Sequence, residues 1–224
     1  MNDPNDYFYN LLLIDPIYET EDQYIAPFWE FKYRFQSLQR HWELNKVYLQ
    51  HHISNLQTVT GDGTAEYDLA YSESASVDIE YFPEYLRLST ISFSLALVEQ
   101  LIGSLCEEIA HDTGASIEFK KRQLPYINKY VNWLISSCGI DIDIEKKLWK
   151  NLDAIRELRN RFIHKIDRDI PEDIKKTIGE MVSEVGDDAN LVTDEFVNKS
   201  LLQLATLVKK IEVAYIRYYN NQKK

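Results

Sequence analysis

Residues 84–109, EYLRLSTISFSLALVEQLIGSLCEEI, carry the strongest structural signal in the chain. Apolar side chains recur there at i, i+3, i+4 and i+7, the period of an α-helix with one face in a core. These positions are Leu88, Ile91, Leu95, Val98, Ile102, Leu105 and Ile109. The segment therefore predicts a deeply packed helix.

The chain on either side of this segment also predicts an all-α protein. Its 224 residues include only 7 Gly and 6 Pro, and 45% are hydrophobic, which is enough for a sizeable core. Further helices are predicted at about 27–56 and 125–137, from an N-cap at Asp143 through residue 164, after Pro171 and from Thr193 onward. Gly114 and Gly139 are predicted to end the helices that precede them.

The domain organisation is predicted from a break in this pattern. Between Thr58 and Tyr81 the helical period is lost, and Gly61-Asp62-Gly63 and three serines indicate a loop or short hairpin. We therefore expect residues 1–82 to form an N-terminal helical extension and loop, and residues 83–224 to form a bundle of four or five helices. An aromatic and aliphatic stripe in the extension is predicted to be core or interface; it consists of Phe28, Phe31, Phe35, Leu38 and Trp42.

Composition limits the partners and the compartment. A net charge of -11 argues against a non-specific nucleic-acid coat, so any nucleic-acid binding must be local. Cys106 and Cys138 occupy apolar helical surroundings and are predicted to be reduced, which favours the cytoplasm. The N-terminus lacks the pattern of a signal peptide and no run of about 18 consecutive apolar residues occurs, so a soluble protein without a membrane contact is expected.

Residues 156–165, RELRNRFIHK, are the strongest functional signal. Arg159 is a permanent cation, Asn160 an amide, and His164 the side chain that titrates near neutral pH, which together suit phosphodiester cleavage without a metal. Arg156, Asn160 and His164 form an i, i+4, i+8 row, whereas Arg159 and His164 diverge by about 140° and are expected to flank a groove. The same dense basic cluster contains Arg161, Lys165 and Arg168.

A structural alternative exists for this motif. The arginines would then form a solvated helix face paired with Asp153 and Glu157, with His164 favoured by the helix dipole. Against it, Asn160 is a poor residue for a helix interior. In addition, Glu99 falls near the buried face of the 84–109 helix, where its carboxylate needs a cationic partner such as Arg159 or Arg156.

The combination of segment 158–164, LRNRFIH, with the preceding apolar helix 87–101, RLSTISFSLALVEQL, resembles the HEPN superfamily. The family signature is Arg, four to six residues, then His, often with Asn directly after the Arg. The resemblance covers residues from about 84 to the C-terminus.

This resemblance implies a homodimeric, metal-independent endoribonuclease that leaves a 2′,3′-cyclic phosphate. It makes His164 the general acid or base, Arg159 the stabiliser of the phosphate charge, Asn160 an orienting group, and Glu99 the residue that holds Arg159, with Arg156 in support. Arg161, Lys165 and Arg168 would bind RNA.

The biological role that fits the resemblance is a prokaryotic toxin–antitoxin or phage-defence effector, with an antitoxin or regulatory protein as a further partner. No cofactor and no metal site are predicted, because the sequence contains no glycine-rich phosphate loop and no convincing ligand set. The alternative function is a non-catalytic HEPN-like module that dimerises or binds nucleotide, RNA or protein. The acidic net charge favours this alternative, whereas the intact Arg-Asn-x-x-x-His favours the enzyme.

Overall fold

The described residues of the computed structural model, 26–58, 65–118, 126–164, 170–183 and 192–222, are helical almost throughout and contain no strand. The helices are α1 (Ala26–Thr58), α2 (Ala65–Thr113), α3 (Tyr126–Cys138), α4 (Lys146–His164), α5 (Glu172–Met181) and α6 (Asp194–Gln222). The all-α prediction is therefore confirmed for this part of the chain.

The long helix α2 is the centre of the structure. Ile91, Leu95, Val98, Ile102 and Leu105 are at most 1% exposed, as the periodicity of this segment predicts. Gly103 faces the ring of Tyr130 on α3, and a Cβ at this position would make an ordinary van der Waals contact with that ring at 3.5 Å. Burying five large aliphatic side chains contributes on the order of 1.5–3 kcal/mol each before conformational entropy is counted.

Ion pairs and hydrogen bonds between helices give the relative directions of α1, α2, α4 and α6. Helix α1 runs antiparallel to α2. Arg34, near the start of α1, contacts Gln100, whereas His52, near its end, contacts the earlier residue Asp78. Helix α6 runs alongside α2 in the same direction, since Arg87 pairs with Asp194 and Tyr215 lies near Glu108 further along both helices. Helix α4 runs antiparallel to α6. The α4–α6 contacts are Lys210 with Glu145 and Asn151 with Gln203.

The predicted loop or hairpin between Thr58 and Tyr81 is wrong from Ala65 onward, where the chain is already in α2. This first part of α2 packs against α1, with Ala75 buried and His52 Nε2 lying 3.5 Å from Asp78 Oδ2. Tertiary packing overrides the low helix propensity of the serines. The predicted boundary between residues 82 and 83 falls inside this helix, next to Pro83, and the Gly61-Asp62-Gly63 turn lies outside the described residues.

The helix ends agree with most of the predicted caps. Gly114 and Gly139 both have φ of 68°, the left-handed region that ends the preceding helices. Thr193 Oγ1 accepts a hydrogen bond from the Phe196 N–H at 3.1 Å and caps α6 as predicted. Asp143 does not cap α4, because the helix begins at Lys146 and its first-turn hydrogen bond runs from the Trp149 N–H to the Glu145 carbonyl at 3.2 Å.

The aromatic stripe of α1 is confirmed as core. Phe28, Phe31, Phe35 and Trp42 are at most 3% exposed, whereas Leu38 is half-buried and Gln39 takes the buried position instead. The Trp42 indole donates to Asn198 Oδ1 on α6 at 3.0 Å, which links α1 to the bundle.

The length and apolar composition of α2 also meet the criteria for a membrane-spanning helix. Its Tyr81–Thr113 part is long and apolar enough to cross a membrane, with a mean hydropathy of 1.4 over its best 18-residue window, and 44% of that window is buried inside the protein. The central helix of a soluble bundle has the same composition, so this property by itself favours neither environment.

Cys106 and Cys138 are both free thiols, Cys106 buried and Cys138 partly so.

Candidate functional site

Helix α4 carries the Arg-Asn-x-x-x-His motif and is held rigidly by the bundle. Leu148, Leu152, Ile155 and Leu158 are at most 5% exposed and bury one face of the helix. The buried Asn151 amide donates to Gln203 on α6 at 3.2 Å. These contacts fix the rotation of α4 about its axis, so the polar edge that contains Arg159 has one defined direction.

Arg159 forms an ion pair with Glu99 of α2. Its Nη2 lies 3.8 Å from Glu99 Oε1, and the two side chains are 22% and 26% exposed. The prediction that Glu99 lies near a motif arginine is thus met by geometry, and the nearer arginine is Arg159. The carboxylate is half-buried rather than enclosed, because it lies at the edge of the apolar face of α2.

The surroundings of Glu99 disfavour its charged form. Burial raises the pKa of this carboxyl above its ordinary value, and the positive charges of Arg159 and, more weakly, Arg156 only partly oppose the effect. A carboxylate whose pKa is raised despite a cationic partner is a net cost to the fold at neutral pH. Such groups concentrate at functional sites.

The Arg159 guanidinium is incompletely satisfied by Glu99. A separation of 3.8 Å is an ion pair but is too long for a hydrogen bond. The buried Nε of Arg159 also has no hydrogen-bond partner among the residues that the structure describes. The side chain is therefore held in place by charge while retaining donor capacity.

The other two motif arginines pair with acidic residues on α4 itself. Arg156 Nε lies 3.7 Å from Asp153 Oδ1, and Arg156 Nη1 lies 3.7 Å from Glu157 Oε2. Arg161 Nε lies 3.2 Å from Glu157 Oε1. These pairs are the ones that the solvated-face alternative requires. They account for Arg156 and Arg161 without a function, whereas the Arg159 contact crosses to a different helix.

The remaining motif residues are described to different extents. Asn160 is partly buried, on the same helix edge as Arg156. His164 is the last residue of α4. Its side chain, like those of Phe162 and Ile163, lies outside the described part of the structure. Lys165 and Arg168, predicted to bind RNA, lie in the segment 165–169, which the structure does not describe.

A mainly apolar cavity was not anticipated from the sequence. It has a volume of about 150 Å³, lies between α1 and α2, and is lined by Pro27, Glu30, Phe31, Arg34, Leu97, Gln100, Leu101 and Ser104. Arg34 bridges its polar side, with Nη2 2.6 Å from Glu30 Oε1 and Nη1 donating to Gln100 Oε1 at 3.3 Å. No local pattern reveals this cavity, because its two walls come from segments about 65 residues apart.

Within the described ranges, no group of three or more His, Cys, Asp or Glu side chains is arranged to hold a metal ion. No protein-family model, curated protein or solved structure matches the chain. The geometry around Arg159 and the resemblance carried by its motif are therefore the indications of function.

Proposed function

We propose that the chain is a metal-independent endoribonuclease of HEPN type. The observation that carries this proposal is the ion pair of Arg159 with Glu99 on a different helix. It supports the proposal because the pair holds a permanent cation at a half-buried edge of the bundle, five residues before a histidine on the same helix.

The chemistry assigned to these residues is transesterification. His164 removes the proton from the ribose 2′-hydroxyl or donates one to the leaving 5′-oxygen, and the attacking oxygen forms a 2′,3′-cyclic phosphate. Arg159 stabilises the negative charge that develops on the phosphorane, for which its incompletely satisfied guanidinium is suited. Asn160 orients the phosphate or the imidazole. The cationic side chains Arg161, Lys165 and Arg168 would attract the RNA backbone locally, since the chain as a whole carries -11.

Glu99 acts in this proposal as a positioning residue. Its carboxylate is a cost to stability at neutral pH, because burial raises its pKa, yet it aligns Arg159 across the interface between α2 and α4. A residue that lowers stability while fixing a cation is expected where preorganisation of a charge is needed. We further propose that two copies of the chain pair to form the working unit, so that two motifs face one cleft.

The direct test is RNA cleavage by the purified chain in EDTA with a mixed RNA pool. We expect products with 2′,3′-cyclic phosphate ends, and cleavage should be lost in His164→Ala and in Arg159→Ala. Matched controls are His111→Ala and Arg217→Ala, which remove the same side-chain types from exposed positions away from the motif. Retention of full cleavage by either motif variant refutes the assignment.

Glu99→Gln gives a sharper version of the same test. Loss of alignment should lower kcat more than it raises KM, because a displaced Arg159 affects the transition state more than RNA binding. The melting temperature should stay the same or rise.

The net charge favours a second candidate, a HEPN-like module that binds nucleotide, RNA or a protein without cleaving it. In that case RNA would bind in EDTA without cleavage, and His164→Ala would leave binding unchanged. A toxin–antitoxin or phage-defence role follows from either candidate only as a proposal. Its test is whether expression arrests growth in a bacterial host in a manner that requires His164.

A further inference from the structure

Helix α1 is apolar on two opposite faces. One face carries Phe28, Phe31, Phe35 and Trp42 and is buried in the bundle. The opposite face, here called the outer face, carries Trp29, Tyr33, Leu44, Val47 and Tyr48, which are 48–70% exposed. These five side chains are half of the ten large hydrophobic residues that are exposed in the described part of the chain.

Single exposed apolar residues need no explanation, but this concentration on one helix face marks an interaction surface. From Trp29 to Tyr48 the outer face extends about 28 Å along the axis, at about 1.5 Å per residue.

The outer face carries a permanent positive charge at Arg40. Arg40, His41 and His51 are exposed there, among the apolar residues. The carboxylates of α1 are those of Glu30 and Glu43, and each is engaged by a cation of the same helix. Glu30 pairs with Arg34 and Glu43 with Lys46, both at 2.6 Å. The complementary occupant is therefore an apolar and acidic segment.

We propose that residues 1–25 of the same chain bind along the outer face of α1. This segment contains the apolar run YFYNLLLI at 7–14, six acidic residues and neither Lys nor Arg. The acidic residues are Asp3, Asp6, Asp15, Glu19, Glu21 and Asp22. The segment thus complements the outer face in its apolar side chains and in the sign of its charge.

Covalent attachment places the segment at the outer face. It joins α1 at Ala26, one turn before Trp29, and 25 residues span up to about 80 Å when extended, well beyond the 28 Å required. Attachment also raises its effective concentration to the millimolar range, so weak contacts are sufficient for binding. A second copy of the chain is the competing occupant, and dilution distinguishes the two.

The test is the rate of thiol labelling at single cysteines in the full-length chain. The background is Cys138→Ser, since Cys106 is buried and burial raises the pKa of its thiol, which suppresses its reaction. The reporter is Val47→Cys on the outer face, and the matched control is Phe93→Cys on α2. Val47 and Phe93 are 62% and 63% exposed, so without a bound segment the two cysteines should react alike.

With the natural N-terminal segment, we expect Cys at 47 to react more slowly than Cys at 93. Replacing Leu11, Leu12 and Leu13 by Ser should raise the rate at position 47 by about tenfold, the scale set by a tethered segment at millimolar effective concentration, and leave position 93 unchanged. Arg40→Glu should act in the same direction, and Arg40→Lys should not.

The proposal is overturned if the serine substitutions leave the rate at position 47 unchanged. It is also overturned if protection of position 47 disappears on dilution, because a second copy would then cover the outer face. The measurement is independent of RNA cleavage, so its result does not depend on the proposed function.

Discussion

Replacement of Glu99 by Gln tests whether the charge of this half-buried carboxylate lowers the stability of the fold at neutral pH. Burial raises the pKa of Glu99 above its ordinary value of 4.5. At pH values just above 4.5 the folded chain therefore binds more protons than the unfolded chain, and the contribution of this group to stability falls as pH rises through that window. Gln removes the charge and keeps the shape, so it should abolish this dependence.

The expected magnitude follows from the geometry. Both partners are about a quarter exposed and 3.8 Å apart, and comparable exposed pairs are worth about 0.2–1 kcal/mol. Since the burial cost of the carboxylate exceeds this gain, Glu99→Gln should leave the free energy of unfolding at pH 7 unchanged or raise it by up to about 1 kcal/mol. Arg159→Gln removes the main favourable charge and should lower it by about 1–2 kcal/mol, less than the 3–5 kcal/mol of a fully buried pair.

The assay is urea unfolding followed by circular dichroism at pH 3.5, 5 and 7, so that the titration windows of both carboxyls are covered. The control is Glu145→Gln, where a hydrogen bond from Lys210 at 2.8 Å lowers the pKa of the carboxyl. The contribution of Glu145 to stability is present above about pH 4.5 and is lost as the pH falls through its lowered pKa. This pH dependence is opposite in sign to that of Glu99. A loss of more than about 1.5 kcal/mol in Glu99→Gln at pH 7 would refute the reasoning, because the ionised carboxylate would then be a net stabiliser.

Three further predictions concern the bundle and its assembly. Asn198→Ala leaves the buried Trp42 N–H without its acceptor and should cost about 1–3 kcal/mol in urea unfolding, whereas Asn198→Asp keeps the acceptor and should cost less. Gly139→Ala should lower stability by about 1 kcal/mol through backbone strain alone, because φ is 68° and no atom lies within 4 Å of the added Cβ; a loss above about 3 kcal/mol would show that packing is involved. Sedimentation at micromolar concentration should report a dimer, and mixing His164→Ala chains with wild type should change cleavage more than dilution does; a fully active monomer would contradict the shared cleft.

Local sequence determined the helices whose apolar spacing, caps and turns lie within a few residues of one another. The 84–109 pattern predicted a buried face that the structure confirms, and Gly139 and Thr193 ended and began helices as their backbone and side-chain chemistry requires. Caps of this kind act through hydrogen bonds to residues three or four positions away, so the sequence alone contains them.

Local sequence was insufficient where packing opposes propensity. The serine-containing start of α2 has a weak helical pattern, yet it is helical from Ala65 because α1 packs against it. The start of α4 lies at Lys146, three residues beyond the predicted cap at Asp143. At the start of α2, packing against α1 outweighed helix preferences worth less than about 1 kcal/mol per residue.

The candidate site divides in the same way. The sequence by itself determined that Arg159, Asn160 and His164 share one helix, and that Glu99 needs a cation. Only the tertiary structure decided that Arg159 is the nearer partner and that the pair is half-buried. The physical reason is that Glu99 and Arg159 are sixty residues apart, so the antiparallel packing of α2 and α4, rather than any local preference, sets the distance between their charges.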